Sequence, residues 1–393
     1  MTEVSPPVPA SAPSATTALT QLRLVNFRSY AEGALTVQSA PVALIGQNGA
    51  GKTNLLEAIS LLTPGRGLRG AKLAEVQRRA PGTMTDAPFE GALWAVSATL
   101  MRDDGQWTLG TGIAANANGN ERRLTRLNGA DAAAADIAEL LPVLWLTPAM
   151  DRLFLEGASG RRRFLDRLVF GLDVGHAKRT VAYETAMRER ARLLAMGRTD
   201  PAWLDGLEET MAENGAAITR ARLDAIAALN GELAKRESEG DFPCAQLSLE
   251  NAPDIDTVSD EAILCERLST MRARDAEAGR TLVGPHTADL VVRHTEKRAD
   301  ARQCSTGEQK ALLISIVLAN AWLQKGRHGH APLLLLDEIA AHLDAGRRTA
   351  LLGEILALRA QAWMTGTDHA LFSGGGNSIQ IFAVNNGRFV PQE

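Results

Sequence analysis

The stretch Gly46-Gln47-Asn48-Gly49-Ala50-Gly51-Lys52-Thr53 constrains this chain more than any other. It fits the phosphate-binding pattern G-x-x-x-x-G-K-[ST] without departure. An apolar run, Val42-Ala43-Leu44-Ile45, precedes it, and Leu55, Leu56, Ile59 and Leu62 follow at helical spacing. Strand, glycine loop and helix in that order are the context the motif requires. Glycines let successive N–H groups turn inward as an anion nest, and the helix N-terminus adds partial positive charge. Lys52 is placed to reach the β- and γ-phosphates of a nucleotide such as ATP, and Thr53 to ligate Mg²⁺. The bland alternative is a glycine-rich turn with a chance lysine, and the correct flanks argue against it.

A second signal is Pro332-Leu333-Leu334-Leu335-Leu336-Asp337-Glu338. Leucines bounded by Pro and by two acids read as a buried parallel strand. Ligands of open α/β sheets bind at the C-terminal ends of such strands. There Asp337 can hold Mg²⁺, directly or through water. Glu338 can polarise a water against the γ-phosphate, which makes it the candidate catalytic base. The third signal is Cys304-Ser305-Thr306-Gly307-Glu308-Gln309, which opens an apolar helical run. Ser305-x-x-Glu308 is a capping box. Read narrowly, it caps a helix. Read more broadly, the Ser305 hydroxyl, the Gly307 backbone and a helix N-terminus form a second phosphate site. One chain then carries two half-sites for one triphosphate, which two copies could complete for each other.

At 393 residues the chain has room for two or three domains, or for one large domain with an insertion. Its net charge of −4 excludes a global positive field, so any nucleic-acid surface is local. Cys244, Cys265 and Cys304 are odd in number and lack metal spacing, as expected of a reduced, cytoplasmic protein. No apolar stretch reaches the ~20 residues of a membrane span. Residues 1–18 are rich in Pro, Ala, Ser and Thr and read as a disordered tail, not a signal peptide.

Along the chain, Leu22 to Phe27 and Leu35 to Val37 read as strands. Arg66, Arg69, Lys72, Arg78 and Arg79 form an arginine-rich segment broken by Gly65, Gly67 and Gly70. Arg66, Arg69 and Lys72 are candidate DNA-backbone contacts, although a solvated surface loop is the slightly better explanation on sequence alone. Residues 91 to 130 read as antiparallel strands, with Asn128-Gly129 a hairpin turn. From Arg161 to about Arg280 helical patterns dominate. Leu204, Leu207, Met211, Asn214, Ile218, Ala221, Ala225 and Ala228 alternate in steps of three and four. That seam fits a short coiled-coil arm or an amphipathic helix in a bundle. Leu290-Val291-Val292 and Ile379 to Val390 return to strand patterns.

Together these motifs, with Ala341-His342-Leu343-Asp344, resemble the head domain of ABC-type ATPases. More closely, they resemble the bacterial RecF family. Leu24-x-Asn26-Phe27-Arg28-Ser29-Tyr30, Arg161-Arg162-Arg163-Phe164-Leu165-Asp166, Gly284-Pro285-His286, Asp289-Leu290 and Thr365-Gly366-Thr367-Asp368 carry the likeness from Leu22 to Asp368. Thr287 departs from it, standing where the family often has arginine. The resemblance implies an α/β fold: an ABC-type P-loop ATPase head, with a mixed-sheet core and an antiparallel β subdomain, plus an inserted helical lobe. Lobe limits of 19–160, 161–280 and 281–393 follow. It further implies a DNA repair ATPase that forms a homodimer on ATP and binds DNA in that state. Slow hydrolysis would reset the dimer, and RecR and RecO would act with it to place RecA at single-strand gaps. Ser305, Gly307 and Glu308 would then act on the nucleotide of a second copy, with Asp344, Thr367 and Asp368 at the dimer or switch contacts. Three rivals share some of the motifs: a transporter ATPase subunit, a P-loop small-molecule kinase and a structural chromosome-organising (SMC-type) head. The 305 − 52 = 253 residues between Lys52 and Ser305 are about twice the transporter spacing.

Overall fold

A computed structural model describes residues 17–78, 94–115, 121–197, 200–236, 242–250, 258–340, 343–385 and 387–392. The chain divides into two compact units, Met1–Met150 with Gln324–Glu393, and Asp151–Leu323. Of the expected tail, Thr17 and Ala18 already belong to a strand; the rest lies outside the described residues.

The first pass through unit one runs β1 (Thr17–Phe27), β2 (Tyr30–Thr36), β3 (Val42–Ile45) and α1 (Lys52–Ser60). Next come β4 (Trp94–Arg102), β5 (Gly105–Ala115), β6 (Glu121–Leu127), β7 (Ala130–Asp131), α2 (Ala134–Leu140) and β8 (Val143–Leu146). Unit two holds α3 (Ala158–Phe170), α4 (His176–Ala195), α5 (Pro201–Arg236), β9 (Ala245–Glu250), α6 (Glu261–Thr270) and α7 (Arg272–Ala278). It continues with β10 (Asp289–His294), β11 (Ala299–Asp300) and most of α8 (Thr306–His328). The chain returns to unit one through β12 (Leu333–Leu336), α9 (Ala345–Leu358), β13 (Ala362–Gly366), β14 (Gln380–Asn385) and β15 (Arg388–Gln392).

Unit one contains two six-stranded sheets. One is antiparallel, in the order β2-β1-β4-β5-β6-β7. The other, β15-β14-β3-β13-β12-β8, is parallel from β14 to β8 and antiparallel at the β15 edge. Its central strands are mostly apolar, because both faces are covered: Leu333 to Leu336 and Ala362 to Gly366 are all buried, with Thr365 the one polar side chain among them. One core, including Leu24, Phe27, Leu44, Ile59, Trp94 and Trp363, joins residues of both sheets. Pairing of β1 with β2 begins only at Gln21. Beyond it, the fully buried Gln361 satisfies Leu19, accepting its N–H at 2.8 Å and donating to its carbonyl at 3.0 Å. Unmade, those two buried bonds would cost about 1–3 kcal/mol each.

Unit two is helical around the small sheet β11-β10-β9. On α5 the buried positions include Leu204, Glu208, Met211, Ala212, Gly215, Ala216, Ile218, Thr219 and Arg222. That stripe is wider than a two-helix seam, and α5 packs against α4, α6 and β9. The helix is therefore a bundle member. The expected lobe limit at 280 falls inside this unit, which runs on to Leu323. The reason is the pairing of β10 with β9 across register Asp289↔Glu250 to His294↔Ala245, which ties residues beyond 280 to the helical segment.

Candidate nucleotide-binding site

Gly46, Gly49 and Gly51 have φ of +152°, +85° and +107°, which the loop requires and side chains rarely adopt. A Cβ at Gly46 would lie 2.7 Å from the Val384 carbonyl oxygen, and one at Gly51 would lie 2.9 Å from Ser29 Oγ and Tyr30 Oη. The Tyr30 hydroxyl donates to the Gly51 carbonyl at 2.9 Å, and its ring stacks on Phe389 at 5.7 Å. Burial pushes the Tyr30 phenol up, which keeps it a donor at neutral pH. Lys52 Nζ donates to the carbonyls of Gly46 and of Gln47, the latter at 3.0 Å, and so lies across the loop. Burial lowers the Lys52 pKa, against the opposing pull of Glu338 and Asp337.

Strand register brings the acids to this loop. Leu336 of β12 faces Met364 of β13, so Asp337 and Thr365 come level one residue later. Thr53 Oγ1 donates to Asp337 Oδ1 at 2.9 Å, and Thr365 Oγ1 donates to the same oxygen at 2.8 Å. The Glu338 N–H donates to Thr365 Oγ1 at 2.7 Å. Glu338 itself has φ +48°, the left-handed region, at a strain of about 1–3 kcal/mol. Such strain gathers where a side chain must be aimed. The Thr53 hydroxyl and the Asp337 carboxylate together form a pair of hard oxygens that could hold Mg²⁺. The nest of Gly46, Gln47, Asn48, Gly49, Ala50 and Gly51, with Lys52 across it, suits a polyphosphate.

Sequence reasoning missed three supporting groups. Thr365 is one; its tie to Asp337 spans 28 residues. Glu57, fully buried on α1, is the second. It accepts from Arg28 Nε at 2.9 Å and Nη2 at 2.7 Å, and from Arg69 Nη1 at 3.3 Å. Arg123 is the third, donating to the carbonyls of Leu61, Thr63 and Gly65 just beyond α1. Of the candidate DNA contacts, Arg66, Arg69 and Lys72 are all exposed, but Arg69 is held by Glu57 and by Asn54 Oδ1 at 2.9 Å.

The signature residues lie in the second unit. The Ser305 N–H donates to Glu308 Oε2 at 3.0 Å, and the Glu308 N–H to Ser305 Oγ at 3.4 Å, which completes the capping box of α8. Lys297 pairs with Glu308. That bond, then the two with Ser305, hold the Glu308 carboxyl at about 2. A Cβ at Gly307 would meet nothing within 4 Å, so the backbone there is open to a ligand. Back in unit one, Asp344 caps α9 by accepting from the Arg347 N–H at 2.8 Å. Asp368 accepts from the Ala370 N–H at 2.7 Å, and Thr367 is exposed. Ala341 and His342 lie outside the described residues.

The family model described as "RecF/RecN/SMC N terminal domain" matches residues 18–389. The DNA replication and repair protein RecF of Agrobacterium fabrum is 48% identical over 377 residues, covering 94% of this chain and 97% of that protein. The protein of that name from Rhizobium leguminosarum is also 48% identical, over 378 residues, covering 94% and 98%. This chain belongs to the RecF family. A solved structure of the recombination mediator RecF-ATPrS in the RecFOR pathway has the same fold, with TM-score 0.79, 23% identity and coverage of 98% and 100%. The Smc head of Pyrococcus furiosus is more distant, at TM-score 0.55 and 17% identity over 96% of each chain. The RecF fold is thus the ABC-type ATPase head expected from the motifs.

Two RecF-like segments have structural work in this chain. Arg161, which the sequence alone leaves open as a solvated helix start, is buried and bonds Asp289 through Nε at 2.8 Å and Nη2 at 2.7 Å. Gly284 has φ +132°, and the departing residue Thr287 donates its hydroxyl to the Gly284 carbonyl at 2.8 Å, which closes the turn.

Proposed function

We propose that this chain is an ATP-switched, DNA-binding protein of recombinational and replication-gap repair. The observation that carries the reading is the hydrogen-bonded series Thr53, Asp337, Thr365 and Glu338 beside Lys52. Gly46 to Thr53 bind the phosphates, and Lys52 carries charge to the β- and γ-oxygens. Thr53 and Asp337 would hold Mg²⁺, which would supply neutralisation of phosphate charge. Glu338, aimed by its left-handed backbone, orients the attacking water and accepts its proton. Ser305, Gly307 and Glu308 approach the nucleotide of a second copy, so ATP binding drives homodimerisation and slow hydrolysis releases it. Asp344, Thr367 and Asp368 lie at the dimer and switch contacts.

The relatives are named DNA replication and repair proteins and the solved RecF structure belongs to the RecFOR pathway, which supports DNA, RecR and RecO as partners. RecA loading at single-strand gaps, in the cytoplasm, completes the proposed role. Arg66 and Lys72 are the better DNA candidates, since Arg69 is engaged by Glu57. Among the described residues no helix is long and apolar enough to cross a membrane. Identity of 48% to RecF proteins along almost the whole chain weighs against the transporter reading. The bundled α5 weighs against a long-armed SMC head.

The first test is calorimetric. Lys52→Ala removes a charged donor and leaves the glycines in place; ATP affinity should fall about 10- to 100-fold, the range for charged hydrogen bonds. Unchanged affinity would sink the assignment. A second test isolates the missed threonine. Thr365→Val keeps the volume but leaves the Glu338 N–H without its acceptor; ATP should bind normally while hydrolysis falls about tenfold. A parent-like turnover number would remove Thr365 from the account.

A further inference from the structure

The second unit holds a cavity that the nucleotide chemistry does not use. Its volume is about 880 Å³. Arg162, Arg188, Arg267, Arg274 and Arg280 line it, and among the described residues no aspartate or glutamate does. They come from α3, α4, α6, α7 and the segment after α7. The chain as a whole carries −4, so the cavity is opposite in sign to the net charge. Nearby carboxylates are already taken: Glu208 and Asp275 pair with the fully buried Arg190, and Glu208 also with Arg272. Arg274 and Arg280 are exposed and make no ion pair among the described residues. Arg162 and Arg188 are partly held, by the Ala288 carbonyl at 2.9 Å and by Thr185 Oγ1 at 3.3 Å. Neither partner is anionic, so the positive charges that converge on the concavity still repel one another. They fit an anionic ligand.

The rest of the wall narrows the ligand's chemistry. Met187, Met271, Leu282 and Val283 supply an apolar surface. Among the described residues no Phe, Tyr or Trp lines the cavity, and the one ring there, His286, is held by hydrogen bonds through both its nitrogens. His286 adds no charge. Its Nε2–H donates to the Thr281 carbonyl at 2.9 Å, which leaves Nδ1 to accept from the Tyr183 hydroxyl at 2.7 Å. A second cavity of about 380 Å³ shares Arg162, Met187, Arg188 and His286, but Asp166 and Glu184 also line it, so the acid-free wall belongs to the larger cavity. Carboxylates pair with guanidinium forks in a bidentate manner, and methionine walls adapt to an apolar side chain.

We propose that this cavity docks an acidic peptide segment of a partner protein, with carboxylates on the arginines and an apolar side chain against Met187, Met271, Leu282 and Val283. The inference does not rest on the ATPase reading. The test uses the full chain and a fluorescein-labelled octapeptide of six acidic residues and two leucines, followed by anisotropy. Saturable binding is expected, weakened at least about tenfold by Arg274→Glu with Arg280→Glu and falling steeply with salt. Changing both peptide leucines to serine should also weaken it, and ATP affinity of the double variant should match the parent. No saturable binding, or binding indifferent to the two reversals, overturns the proposal. A labelled oligonucleotide that binds more tightly than the peptide and depends on the same arginines makes the cavity a nucleic-acid surface, which also overturns it.

Discussion

Glu338→Gln should bind ATP like the parent and hydrolyse it at least ~10²-fold more slowly, the low end for loss of a general base. The substitution keeps the side chain's size and one oxygen, and removes only its ability to take a proton. Its effect is separable from folding, because what fixes the residue is backbone: the φ of +48° and the N–H bond to Thr365 Oγ1. Glutamine can occupy that conformation as well as glutamate can. Single-turnover kinetics with calorimetry in parallel distinguishes the two steps. A rate equal to the parent's, at equal affinity, would mean that another group positions the water.

Ser305→Arg and Lys52→Ala should each abolish ATP hydrolysis alone and recover part of it when mixed. Lys52 belongs to unit one and Ser305 to unit two. Ser305→Arg places a bulky cation at the start of α8 and removes the Oγ that accepts from the Glu308 N–H. Losing that cap costs ~1 kcal/mol, too little to unfold a domain of this size. A mixed dimer keeps one whole site: the phosphate loop of the Ser305 variant with the signature of the Lys52 variant. Two of its four half-sites are then damaged, and both damaged halves fall in the same composite site. Recovery on mixing is the signature of sharing between chains. If differently tagged chains are captured together with ATP and still show no activity at any ratio, the signature helix does not act in trans.

The nucleotide site was legible where its chemistry is local. Gly46 to Thr53 owe their shape to glycine at three positive φ angles, and composition records that directly. The box between Ser305 and Glu308 spans one helical turn and can be read as spelled. The leucines of β12 announce a strand covered on both faces. What stayed hidden depends on distant register. Thr365 meets Asp337 only because β13 lies parallel to β12 in one particular alignment. Gln361 reaches Leu19 across 342 residues. Glu57 looks like an ordinary helical acid until Arg28 and Arg69 are seen to close over it. The three-and-four spacing of α5 was visible, but its partner helices were not, and spacing alone suits an arm or a bundle equally. The lobe limit moved for the same reason, since pairing of β10 with β9 carries no local mark.

The most direct measurement of the ATP switch is sedimentation velocity on Glu338→Gln with Mg²⁺, with and without ATP. Slow hydrolysis holds the bound state long enough to weigh it. The expected result is a monomer without nucleotide, a dimer with ATP, and a monomer again when Ser305→Arg is added to the same chain. A species that stays monomeric at ATP concentrations shown by calorimetry to saturate the site would contradict the switch.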